Sequence, residues 1–584
     1  DNQNADAVRV TIPIRPDHHP VTHTIAGVLH DTATATFALP AGTDPARSSL
    51  TLSVGVSPLT AIRGMYHDLR VYPYDCSEQV SSEAMALIAL YRYQPQSFEK
   101  TYGFDPRADI ARAVAVLASR QRGDGAIGYW GSNDWTTPWL SAYAGTILLD
   151  ARTLGVKVDT LVISRLADYL GQALHGTVAA RFTPVATWYT RRDLELRDRV
   201  AAVDFLGRAG RTDVAAENEL LRSAAELAIE DRARLAEVLA RRGQMAPARA
   251  LMEATWSLVR VDGRRAVLPD SAQPAFYFSS YARPYARILT ATLAIDPNNR
   301  LVGPLAEALV EAGRVAARSY WTTQDYGTAA GALATLEKGR SSSGGRTVRV
   351  SAGSRLLLES GAARDSTITL QGLLAREQGQ DALRLAMQAG PGDGVVYYYL
   401  TVTEIPSQQP TTPEEHGLRV ERWYERYDTG TPTTSATEGD LVRVRLRLTV
   451  PTTRTFVVLD DALPAGLEAV DLSLRTAANL PGPGLKDAND QEQEEQEHVD
   501  GPEWYGFWEA GWWSPFDHRE LRDDRVVYSA TYLWPGTYTA TYVARATTAG
   551  TFVKVPAHAE EMYNRAVYGR SDGGSFVVTP RGAR

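Results

Sequence analysis

Cysteine is nearly missing from this sequence: Cys76 is the single one in 584 residues. That excludes an internal disulfide and any metal site built from several cysteines. Lysine is scarce too, with 5 against 56 arginines, a bias that reads as genome composition before function. Net positive charge is lacking as well. A balance of -8 argues against nucleic acid as a general partner. No apolar run reaches the length of a membrane span, and no secretory signal opens the chain. Asp1 stands first instead of Met, which reads as a processed chain or a portion of something longer.

What is present changes character twice. Residues 1–60 alternate as strands do, in "VRVTIPI" and "SSLTLSVGV". From about residue 78 to 340 the chain turns alanine- and leucine-rich with helical spacing, as in "EAMALIALYRY", "PWLSAYAGTILLDARTL" and "YGTAAGALATLEKG". About eleven or twelve helices in pairs are expected, recurring every ~45–55 residues, as in helical-hairpin arrays. Such a pattern suits an open solenoid or a closed α/α toroid. Strand signals return near residue 346 and run to the end, in "RTVRVSA", "DLVRVRLRLTVP" and "DDRVVYSATYLWPGTYTATYVARATTAGTFVKVP". They read as β-sandwich material. The first β segment is too short to stand alone and is expected to pair with strands after the helices.

The lone thiol sits in "VYPYDCSEQVSSEAMALIAL", just ahead of a helix. Four readings compete for it. A buried structural cysteine is the commonest fate of a free thiol. A cysteine protease needs a nearby histidine base, and neither His67 nor His175 stands in a recognisable signature. A metal ligand has no support from spacing. The fourth reading pairs Cys76 with Gln79, three positions on, where side chains meet on one face of a helical turn. Attack of the thiol on the Gln79 amide carbonyl, with loss of ammonia, leaves an internal thioester. A helix N-terminus favours the thiolate that later departs. Water destroys such a bond, so it needs a dry aromatic pocket. Tyr72, Tyr74, Trp130, Trp135 and Trp139 are close enough in sequence to supply one.

"YPYDCSEQ" resembles the thioester motif of the bacterial alpha-2-macroglobulins. Further segments resemble the same family in the same order: "SRQRGDGAIGYW", "WTTPWLSAYAGTILLDA", "YWTTQDYGTAAGALATL", then "DDALPAGLEAV", "FDHRELRDDRVVY" and the stretch ending "EEMYNRAVYGRS". Ser77 and Asp75 depart from the family pattern, which has Leu or Gly and Gly at those places. Neither change removes a reacting atom.

The resemblance implies a multidomain α and β protein. Residues 1–60 would form the first part of a CUB-like β-domain and 61–342 an α/α-toroid thioester domain inserted in it. Residues 343–417 would complete the CUB-like domain, and 418–584 would form a C-terminal macroglobulin-type β-sandwich. It implies a broad-spectrum protease trap, not an enzyme. A bait segment elsewhere in the full protein is cleaved, and the thioester of Cys76 and Gln79 acylates the attacking protease. Tyr72, Tyr74, Trp135 and Met562 are the expected shield, and Glu78 supports the motif by favouring the first helical turn. No cofactor and no metal are implied. Target proteases are the implied partners, and a monomer is the implied state. The implied location is the periplasm or cell envelope, with tethering through an N-terminal lipid anchor outside this sequence. No histidine stands where complement relatives use one, so direct attack by amines on the thioester is expected.

Other features have plainer explanations. "FDHRELRDD" reads as salt bridges before a metal site. "RGD" at 122–124 reads as a tight turn, and the acidic run at 487–501 as a solvated loop. The aromatic run "WYGFWEAGWW" reads equally as a carbohydrate platform or a domain contact. "QRGDGAIGYW" also resembles the repeats of terpene cyclases, an alternative that lacks a D-x-D-D acid motif in the helical region. A thioester-dead binding module is the other alternative.

Overall fold

The computed structural model describes residues 21–38, 42–70, 72–93, 105–176, 191–269, 278, 280–311, 322–338, 346–360, 366–371, 382–392, 395–407, 412–471 and 515–582. The chain divides into two compact units. Among the described residues, one holds Thr22–Leu39 and Ser49–Val402, and the other holds Thr403 onward with Pro40–Ser48.

The first unit begins with β1 (Val21–Leu29), β2 (Thr32–Ala38) and β3 (Ser49–Gly55). A short hairpin, β4 (Arg260–Asp262) and β5 (Arg265–Val267), lies within the helical stretch. After the helices come β6 (Val348–Ala352), β7 (Arg355–Ser360), β8 (Ser366–Gln371), β9 (Ala382–Ala389) and β10 (Val396–Glu404). Early and late strands interleave in two four-stranded sheets, ordered β1-β10-β3-β8 and β2-β9-β6-β7. Alternation explains how they close on each other. Leu50, Leu52 and Val54 of β3 share one core with Val348 and Val350 of β6, Leu383 and Leu385 of β9, and Leu400 of β10. The helical stretch thus leaves the β-structure after β3 and returns to it at β6.

Twelve helices are described in between: α1 (Leu59–Arg70), α2 (Ser77–Tyr93), α3 (Pro106–Ser119), α4 (Pro138–Thr153), α5 (Thr160–Leu174), α6 (Arg191–Arg208), α7 (Val214–Arg222), α8 (Ile229–Arg241), α9 (Met245–Trp256), α10 (Ala282–Ile295), α11 (Val302–Glu311) and α12 (Thr323–Lys338). The even-numbered helices pack each on the next, and α12 packs back on α2 to close the circuit. Every odd-numbered helix packs on two neighbours in that circuit: α3 on α2 and α4, α5 on α4 and α6, and so on round to α1 on α12 and α2. The sequences divide the same way. Helix α4 is buried from Trp139 through Leu149, as a helix enclosed on all sides must be. Helix α5 buries one stripe, Ile163, Leu166, Ala167, Leu170 and Leu174, and leaves the other face to water. The helix starts are written locally. Thr137 accepts from the Leu140 amide ahead of Pro138, and Asp159 and Asp213 cap α5 and α7.

The described elements of the second unit are all strands. A six-stranded sheet runs in the order Glu414–His416, Asn564–Arg570, His558–Glu561, Arg454–Ala462, Arg525–Leu533, His518–Leu521. A four-stranded sheet runs Arg419–Arg426, Leu441–Val450, Gly536–Ala546, Leu467–Ala469. In Leu441–Val450, "LVRVRLRLTV", Val442, Val444, Leu446 and Leu448 point inward and join Val457, Leu459, Tyr542 and Phe576 in one core. The arginines between them face out, as period-two alternation requires.

Candidate functional site

Helix α2 begins at Ser77, which makes Cys76 its N-cap and Gln79 its third residue. The first amides of any helix lack intrahelical acceptors, and in a capping box the third side chain reaches back to the N-cap amide. Gln79 does this: the Cys76 N–H donates to Gln79 Oε1 at 2.9 Å. The carboxamide is folded back over the residue that carries the thiol. Both residues are inside, Cys76 at 0 % and Gln79 at 3 % exposure. The same N–H polarises the Gln79 carbonyl, a donor already in place where negative charge would develop on attack at that carbon.

The two intervening residues are pinned from opposite directions. The Ser77 amide donates to the Tyr129 carbonyl at 2.8 Å, and its hydroxyl donates to the Gly128 carbonyl at 2.6 Å. Arg120 adds a clamp, its Nη1 reaching the Asp75 carbonyl at 2.8 Å and Ser77 Oγ at 3.4 Å. The Asp75 side chain itself is exposed. Glu78 is fully buried, and neutral donors reach both its oxygens. Ser82 Oγ and Gln324 Nε2 reach Oε1 at 2.5 and 2.7 Å, and Thr323 Oγ1 reaches Oε2 at 2.7 Å. Sequence reasoning assigned Glu78 to the helix dipole; its partners on α12 lie some 245 positions away and leave no local signal.

Helices α2 and α12 approach closely here. A Cβ on Gly327 would lie 2.8 Å from Ser82 Cα, so only glycine fits. Helix α12 has its own capping box. The Asp325 carboxylate accepts from the Thr322 amide at 2.9 Å and Thr322 Oγ1 at 3.0 Å, and its other oxygen takes Ser280 Oγ at 2.7 Å and the Ala282 amide at 2.9 Å.

Aromatic rings cluster on the same elements. Tyr72 and Tyr74 meet edge to face at 5.5 Å, Tyr74 buried and Tyr72 half-buried. Trp135 stacks on Tyr129 at 4.4 Å, and Phe278 continues the layer to Trp139 at 5.3 Å and on to Tyr143. Tyr143 bonds Ser82 at 2.9 Å, and burial beside Glu78 holds its phenol well above the usual range. Met562 belongs to the second unit, where it is buried and its amide donates to the Phe456 carbonyl at 2.9 Å.

Beyond Gln324 the polar contacts continue. Arg283 Nη1 donates to Gln324 Oε1 at 3.1 Å and to the Phe278 carbonyl at 2.8 Å, while Arg283 grips both oxygens of Glu230 at 2.8 and 3.2 Å. Burial opposes the charge on Glu230, but Arg283 and Arg197 flank it and bring its carboxyl down to about 2.

Elsewhere, Arg122 of the "RGD" run is buried and pairs with Asp124 at 3.2 Å, a turn-closing contact. In "FDHRELRDD", Asp517 accepts from the Thr531 amide at 2.9 Å, and Arg522 pairs with Glu520 at 2.7 Å. His175 sits at the end of α5 with Asp213 at 3.1 Å. The acidic run 487–501 and "WYGFWEAGWW" lie outside the described residues.

Comparison with known proteins gives one consistent relationship. Residues 417–565 match the family model described as the bacterial alpha-2-macroglobulin MG10 domain. The chain is 26% identical to an alpha-2-macroglobulin of Xylella fastidiosa over 96% of its own length and 32% of the relative's. With an alpha-2-macroglobulin homolog of Yersinia pestis, identity is 25% over 90% of this chain and 25% of that one. The chain therefore spans only a third or less of these relatives. In fold it is similar to native Escherichia coli alpha-2-macroglobulin from domain MG7 to the C-terminus, with a TM-score of 0.73, 20% identity, and coverage of 97% and 83% of the two chains. A Salmonella alpha-2-macroglobulin reacted with methylamine also gives 0.73, at 22% identity, covering 97% of this chain and 34% of that one.

Proposed function

We propose, since the chain belongs to the bacterial alpha-2-macroglobulins as a C-terminal part of such a protein, that it carries the reactive portion of a protease trap. Cys76 Sγ attacks Gln79 Cδ, the sulfur–carbon bond forms, and the carbon–nitrogen bond of the carboxamide breaks. The departing nitrogen takes the thiol proton and leaves as ammonia, so the step needs no oxidant and no metal. The resulting thioester is then opened by an amine of an attacking protease, freeing the Cys76 thiol. One observation carries this reading: the Gln79 carboxamide is folded onto Cys76 by the 2.9 Å bond, with both residues buried.

Other features support the finer parts of the proposal. The closed circuit of even-numbered helices, each backed by odd-numbered ones, supports an α/α toroid as the mount. The interleaved sheets of β1–β3 with β6–β10 support the CUB-like domain around it. The Tyr72–Tyr74 pair and the Trp135–Tyr129 stack support shielding of the bond from water. A shielding role for Met562 is proposed from the family alone. A cell-envelope location, a monomeric state, and a bait segment in a longer protein are proposed from the family alone.

Incubation with labelled methylamine and labelled glycerol tests the reading. Stoichiometric methylamine at Gln79, with one thiol appearing at Cys76 and little glycerol capture, is expected. Glycerol captured as readily as methylamine would overturn the preference for amines. No capture of either would overturn the thioester itself.

A further inference from the structure

Between Cys76 and Gln79 stand only Ser77 and Glu78, and separate arms of the fold hold them. Ser77 is tied to the 128–129 loop. Glu78 is tied to α12 by Thr323 and Gln324. The arms meet again behind the site. The Tyr129 ring lies 6.0 Å from the Phe278 ring, the Phe278 carbonyl accepts from Arg283, and Arg283 donates to the Gln324 carboxamide. A circuit of buried groups therefore leaves at Ser77 and returns at Glu78.

Gln324 is the member that no neighbouring residue type replaces. Its Nε2 donates to Glu78 and its Oε1 accepts from Arg283, so it links a carboxylate to a guanidinium without neutralising either. Consecutive residues of a helix lie about 100° apart around the axis. Fixing Glu78 against α12 therefore fixes the rotation of the first turn of α2, and with it the direction in which Gln79 points. Reacting groups are sensitive to such placement, and about 1 Å of displacement costs on the order of a hundredfold in rate.

We infer that Gln324, acting through Glu78, is a positioning residue for the closure of the Cys76–Gln79 bond. The inference rests on the thioester reading. Gln324 touches neither reacting atom; it aims the residue that does.

The test opens the thioester of the full chain with ammonia, which restores Cys76 and Gln79, then removes the ammonia and follows re-closure by mass. Melting is recorded alongside. Gln324→Glu keeps the size but sets an oxygen against the Glu78 carboxylate. Its re-closure is expected to slow at least about tenfold among cooperatively melting molecules. The exchange Glu78→Gln with Gln324→Glu restores a donor and an acceptor across the same gap, and is expected to regain several-fold of that loss. Gln324→Met, which deletes the donor to Glu78 Oε1 without adding a charge, gives a milder slowing and serves if Gln324→Glu does not fold. Re-closure at the wild-type rate in Gln324→Glu, or in Gln324→Met when that variant stands in, overturns the inference and leaves the thioester reading intact. A wild-type chain that never loses ammonia overturns the thioester reading itself.

Discussion

Two helix starts, α2 and α12, are built on one plan from different residue types. In each, the third side chain returns to the N-cap amide: Gln79 to Cys76 and Asp325 to Thr322. At α12 the pair is a hydroxyl and a carboxylate, which can only share protons, so the result is a cap. At α2 the pair is a thiol and a carboxamide, a nucleophile and an acyl carbon held by an ordinary helix-capping geometry. On the proposed reading, the difference teaches that the fold needs no special backbone to prepare this chemistry. Helix capping supplies the alignment, and the residue types decide whether it reacts.

The largest expected effect comes from turning α2 into a copy of α12. Cys76→Ser keeps a good N-cap residue, so stability should stay within about 1 kcal/mol, while ammonia loss and methylamine capture disappear completely. Thermal melting and intact mass read both halves. Next in size is Asp325→Ala, which removes the cap at α12 and the carboxylate that four donor contacts share. A loss of about 2–4 kcal/mol is expected by denaturant titration, with the methylamine label still found at Gln79 in the folded fraction.

A smaller change attacks the contact between the two helices. Gly327→Ala would set a methyl 2.8 Å from Ser82 Cα. It should cost about 1–3 kcal/mol and slow thioester re-closure, because Ser82 and Glu78 move with α2. The smallest concerns a buried carboxylate of the second unit, Glu560. Burial alone would raise Glu560, but Arg565 and His558 hold its carboxyl down to about 2. An unfolded glutamate titrates near about 4.3. The folded pKa is the lower one, so this stabilisation is present above about 4.3 and is lost as the pH falls toward about 2. Glu560→Gln should therefore flatten part of the fall in melting temperature across that acid window.

The alternation of apolar and polar residues placed the strands, and helical spacing placed the helices, because both follow from what each short segment must bury. Val348 opens β6 where the strand signal returns, and Ser77 opens α2 where the thiol stands before a helical run. The arrangement of Cys76 and Gln79 was legible for the same reason: it is local. Its support was not. Thr323, Gln324 and Arg120 meet the motif only through tertiary packing, and no period or spacing in the sequence announces partners 43 to 246 positions away. The role of Ser77 was hidden likewise, since its hydroxyl is spent on the carbonyl of Gly128 in a separate loop.

The most direct test is the intact mass of the freshly purified chain, measured with a count of titratable thiols after unfolding. A mass lower than the sequence by one ammonia, with no thiol until methylamine is added, is the predicted result. A mass equal to the sequence with one free thiol at Cys76 would contradict it, and would leave α2 with nothing more than the cap that α12 has.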